Sequence, residues 1–124
     1  MKFLLAVVLI ALPLAAQQKC KGNPKVIGAC YRAHARATFG PGTPGLRLWP
    51  VGTKRMLGVT AGPKADDADD PICPKEMLNF KPGVESVWGD FDVCPFTPEH
   101  EGAMQMVCVE SASHLFTKRY LDSR

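Results

Sequence analysis

Apolar and polar positions alternate with a period of two over several stretches of this chain, which is the pattern of half-buried strands. From Cys30 onward, Lys25 to Phe39 places Cys30, Arg32, His34, Arg36 and Thr38 on one side and Tyr31, Ala33, Ala35, Ala37 and Phe39 on the other. Four alanines there favour a helix, yet no 3.6-residue stripe of large apolar side chains runs through it, so the spacing predicts a strand with a basic outer face. Gly45 to Val59 reads as a β-hairpin turning at Gly52, because Gly45, Pro50, Gly52 and Gly58 each break a helix. Equal steps from Gly52 set Trp49 opposite Arg55 and Arg47 opposite Leu57. Gly40 to Gly45 is dense in turn residues and joins the first strand to this hairpin.

The second half repeats the pattern. Thr60 to Pro74 is a long loop, and Pro74 to Phe80 reads as one helical turn with Met77, Leu78 and Phe80 inward. Val84 to Phe96 alternates, with Val84, Ser86, Trp88, Asp90, Asp92 and Cys94 on one face and a bulge expected at Gly89. Ala103 to Glu110 is the cleanest strand, while Ser111 to Arg124 turns polar and reads as a docked tail or short helix. The sum is an all-β fold, a small antiparallel barrel or sandwich of about five strands.

The first residues change the picture of where this domain works. Lys2, an apolar run from Phe3 to Leu12, and Ala15-Ala16 form a secretory signal peptide over 1–16, with cleavage expected after Ala16. The run is shorter than the roughly 20 residues that span a bilayer, so no stable membrane span is expected in the mature chain. A retained N-terminal anchor is the competing reading. A polar leader over 17–24, a single β domain over 25–112 and a tail over 113–124 complete the organisation. About 108 mature residues suffice for one domain and not for two. The weakly positive net charge implies neither nucleic acid nor an anionic membrane.

In an exported small domain, Cys20, Cys30, Cys73, Cys94 and Cys108 are read as bridge formers and not as metal ligands. Cys94 and Cys108 lie at equal distance from Glu101, which sets them across two strands and predicts a Cys94–Cys108 disulfide. Cys30–Cys73 is the second bridge expected, leaving Cys20 free; Cys20–Cys30 with Cys73 free is the rival. A free exported thiol points to a disulfide-linked dimer or a reactive site.

No residue set announces a reaction or a cofactor. Asp66, Asp67, Asp69 and Asp70 lack the glycine and distal glutamate of a calcium loop. His34, His100 and His114 are isolated in sequence, and Ser111, Ser113 and His114 have no nucleophile elbow. Asp90 and Asp92 share a strand face at a spacing open to a glycosidase pair, which keeps a small hydrolase as one alternative. The leading expectation is a non-enzymatic domain that binds a partner or ligand through Arg47, Trp49 and Arg55. An envelope structural protein cross-linked through its odd cysteine is the third reading.

The strings Tyr31 to Arg36, Gly42-Thr43-Pro44, Leu46 to Trp49, Val51 to Arg55, Leu57-Gly58-Val59, Gly89 to Pro95 and Val107 to Ala112 resemble a family of small secreted bacterial domains of uncharacterised function. The chain departs from that pattern at Ala35 and Pro41, where glycine and asparagine are usual. The resemblance implies bacterial origin and one β-rich unit, and carries no catalytic residue.

Overall fold

The computed structural model describes residues 19–119, so the signal peptide expected over 1–16 and the last five residues lie outside the described residues. Five strands form one closed ring: β1 (Tyr31–Phe39), β2 (Leu46–Pro50), β3 (Leu57–Val59), β4 (Glu85–Pro95) and β5 (Gln105–Arg119). Their order around the ring is β1-β2-β3-β5-β4. Four seams are antiparallel, as the alternation implies, and the fifth, β3 against β5, is parallel. A parallel seam needs a long crossover. Here two short 3-10 turns, Ala65–Ala68 and Lys75–Leu78, together with β4 make that crossover. Among the described residues no helix is long and apolar enough to cross a membrane.

The inward side of β1 is Ala33, Ala35 and Ala37, as its alternation predicts, while Arg32 and His34 face outward. Small side chains there leave the barrel interior to Leu46, Leu48, Leu57, Phe91 and a set of valines on β3, β4 and β5. The expected helical turn is present at Lys75–Leu78, where Met77 and Phe80 are buried and plug one side of the core. Leu78, expected inward, is 37% exposed, because a 3-10 turn spaces its inward positions by three.

Three expectations need correction. The β2–β3 register pairs Arg47 with Gly58 and Leu48 with Leu57, one residue away from the symmetric fold about Gly52. That slip carries Arg55 off the face of Trp49. The supposed tail after Ser111 is strand: β5 continues to Arg119 and pairs with β4 back to Glu85. Two irregularities each give β5 one extra residue, opposite Gly89 and between Asp92 and Val93, so β5 outruns β4. The bulge expected at Gly89 is therefore present, with its extra residue on the partner strand. A Cβ on Gly89 would sit 2.8 Å from the Ser113 carbonyl oxygen, which leaves room for glycine alone.

The disulfides are the third correction. Cys94 and Cys108 are register partners, as their spacing implies, but neither bonds the other. Cys108 bonds Cys20 and Cys94 bonds Cys30, with S–S distances of 2.12 and 2.09 Å. The β1–β4 ladder pairs Tyr31 with Val93, so Cys30 arrives beside Cys94 from the other side of β4. The sulfurs of Cys20, Cys94 and Cys108 all lie within 4.8 Å of one another, packed with Phe96 in a second small core. Cys73, not Cys20, is the free thiol. Ile72 is held by backbone bonds to Thr60 and Val109, which sets Cys73 against the main core and not toward Cys30.

Candidate binding face

The outer faces of β2, β1, β4 and β5 lie side by side, and register stacks their side chains into rows. In the first row Trp49 pairs with Arg36, Arg36 with Trp88, and Trp88 with Phe116. The Arg36 guanidinium sits between two indoles, 5.2 Å from the Trp49 centroid and 5.8 Å from that of Trp88. Trp88 and Phe116 are near parallel, with centroids 6.4 Å apart, and Lys118 Nζ lies 5.9 and 5.6 Å from the two rings. Each such cation contact contributes about 0.5–1 kcal/mol when exposed, and an aromatic pair about 0.5–1.5. The row is thus a self-supporting ladder of three rings, with Arg36 between the first two and Lys118 beside the stacked last pair.

The second row is built on Asp90. Its carboxylate accepts from His34 Nδ1 at 2.7 Å and from His114 Nδ1 at 3.0 Å. His114 reaches it from the bulge, with φ at 54°, a left-handed conformation rare for a side-chain-bearing residue. In the third row Asp92 accepts from the Arg32 guanidinium, at 3.1 Å from Nε, and from Ser111 Oγ at 2.5 Å. The His34 hydrogen bond holds the Asp90 carboxyl below its ordinary range, and those of Arg32 and then Ser111 do the same for Asp92.

These shifts bear on the hydrolase alternative. A glycosidase acid needs a carboxyl pushed up so that it keeps its proton near neutrality. Asp90 and Asp92 are both pulled down, and they stand on an open strand surface; the two clefts described below are lined by other residues.

Of the three residues expected to bind together, only Trp49 lies on this face, and it is 38% exposed. Arg47 is spent on the β1–β2 connection, donating to the carbonyls of Pro44 at 2.9 Å and Pro41 at 2.7 Å. Arg55 lies at the barrel end, donating to Gln105 Oε1 at 3.2 Å and pairing with Glu99 at 3.3 Å. Tyr31 donates to the same Gln105 oxygen, and burial pushes its phenol up against the lowering effect of Arg55. The cation beside Trp49 is Arg36, which alternation had already set on the outer face of β1. What sequence did not show is that β1 lies between β2 and β4.

Two clefts flank the barrel. One, of about 800 Å³, runs between the N-terminal segment and the 70–76 loop and is lined by Lys19, Cys20, Cys73 and Glu110 among others. Burial pushes the Cys73 thiol up to about 11. The other, of about 650 Å³, lies between the β2–β3 and β4–β5 connections and is lined by Arg55, Met56, His100 and Met104 among others. In the acidic loop Asp67 is engaged within the fold, accepting from the Lys64 backbone at 2.9 Å with Lys25 at 3.7 Å.

Compared with protein families, with curated proteins and with solved structures, the chain matches none.

Proposed function

We propose that this chain is an exported, non-enzymatic binding module of a bacterial cell envelope, and that it engages an acidic protein partner through the Trp49–Arg36–Trp88–Phe116 ladder. One observation carries the reading: the ladder is held rigid by its own contacts, yet its terminal rings, Trp49 and Phe116, remain 38% and 47% exposed. Rigid exposed aromatics beside cations are the side chains that anchor interfaces. Charge gives the partner's sign. His34, His114 and Arg32 pair with Asp90 and Asp92, whereas Arg36 and Lys118 pair with no carboxylate among the described residues. Two disulfides support an oxidising compartment. The fold alone supports no activity, since one barrel hosts many functions.

The chain has two tryptophans, and both stand in the ladder, so its indole emission reports on this face alone. Titration with an acidic peptide free of tryptophan should change that emission saturably and weaken with salt. Trp49→Ala and Phe116→Ala should each weaken binding about tenfold or more while the far-UV spectrum is kept. An emission that ignores the acidic peptide, or an unchanged affinity in both variants, would sink the proposal.

A further inference from the structure

The chain has five methionines, and one of the four beyond Met1, Met77, is core with no exposure. The remaining three, Met56, Met104 and Met106, are half-buried, and Met56 and Met104 immediately precede the register pair Leu57–Gln105 of the parallel seam. Met106 pairs in register with Gly58. A Cβ on Gly58 would lie 2.8 Å from Met104 Sδ and 2.9 Å from Met106 Sδ, so the two sulfurs are no farther apart than those distances end to end. Met56 and Met104 also line the cleft of about 650 Å³, and so does His100.

His100 Nδ1 lies 3.0 Å from the Glu101 carbonyl oxygen, and since a carbonyl only accepts, Nδ1 carries the hydrogen, which in the neutral ring leaves the lone pair on Nε2. A backbone carbonyl fixing one ring nitrogen is the usual support of a metal-binding histidine. Of the two carboxylates that line the cleft, Glu99 is committed to Arg55, while Glu101 pairs with no cation among the described residues. Three thioethers and one imidazole nitrogen outnumber that single carboxylate, a set that favours a soft monovalent ion over Zn²⁺ or Ca²⁺.

We propose that Met56, Met104 and Met106, with His100 Nε2, form a binding site for Cu(I). Methionine also serves as apolar filler over a glycine, a role that leucine would perform equally well. Replacing methionine by leucine separates the two roles at nearly constant volume.

The test uses the full chain with its disulfides intact. Cu(I) is titrated without oxygen against bicinchoninate, a coloured Cu(I) chelator. The protein should withdraw one equivalent. The double variant Met104→Leu/Met106→Leu and the single variant His100→Gln should each weaken that withdrawal tenfold or more, with tryptophan emission unchanged. Cys73→Ser should leave it intact. As a readout free of any variant, Ag(I) should shift the ¹³C-methyl signals of Met56, Met104 and Met106 and leave Met77 in place. Failure of the wild-type chain to compete with the chelator would overturn the proposal. So would binding that disappears with Cys73→Ser but survives in the methionine variant.

Discussion

Asp90 and Asp92 each hold two partners on neighbouring strands, so each carboxylate ties β4 to both β1 and β5. Both are held below their ordinary range, Asp90 chiefly by His34 and Asp92 chiefly by Arg32. A carboxyl lower in the folded than in the unfolded chain stabilises the fold above its unfolded value, near pH 4, and that contribution is lost as pH falls through the folded value. Asp90→Asn and Asp92→Asn should therefore lower the urea midpoint at about pH 6 and cost less at about pH 2, toward which the wild-type carboxyls lose their charge. A penalty that is the same at both pH values would show that the charge on these groups does not contribute. Alternation had placed these acids, with Arg32, His34 and Arg36, on outward faces. Which of them meet was not legible, because contact across β1 and β4 depends on strand order and not on spacing within either strand.

At the scale of the element, β5 carries the largest departure from expectation. Its first half reads as a strand because Met104, Met106 and Cys108 alternate with Gln105, Val107 and Val109. Its second half is polar and mostly exposed, so apolar alternation gives no signal there. It is strand because β4 from Glu85 to Asp90 pairs with it, the register shifting by one residue at each bulge. His114 sits at one of those bulges in a left-handed conformation. For L-residues that conformation costs roughly 1–2 kcal/mol, which glycine avoids. His114→Gly should match or exceed the wild type in thermal unfolding despite the lost bond to Asp90. His114→Val, β-branched, should lose about 1 kcal/mol or more. Equal melting temperatures for the two variants would mean that the turn relaxes freely. The same dependence on pairing explains the β2–β3 error: symmetry about Gly52 was the simplest reading of the turn, and the ladder settles one residue away.

The whole molecule is a single ring whose count of strands, inward alanines and helical turn were all readable in the sequence, but whose closure was not. Closure rests on the parallel β3–β5 seam and on the disulfides, both of which join residues far apart along the chain. The bridges span sequence separations of 88 and 64 residues, each worth about 4–5 kcal/mol in the chain-entropy model. Reducing both should remove most of the stability of a domain this small and unfold it near 37 °C. Retention of the native circular dichroism spectrum after full reduction would contradict this. Cys73, half-buried with its thiol pushed up to about 11, should resist iodoacetamide at neutral pH in the folded chain and react as the single free thiol once unfolded. Fast labelling of the native protein would assign it to an open surface instead.

The crossed pairing of the cysteines also sets a timetable. A polypeptide is made from its N-terminus, so Cys20 and Cys30 emerge together, well before Cys94 and Cys108. Cys20 must wait for the last strand before its native partner exists. In an oxidising compartment the first bond within reach is Cys20–Cys30, which is wrong, and the waiting Cys73 offers a second wrong choice. Wherever it is oxidised as it is made, this small barrel should therefore mature by exchange of early bridges and not by their simple formation.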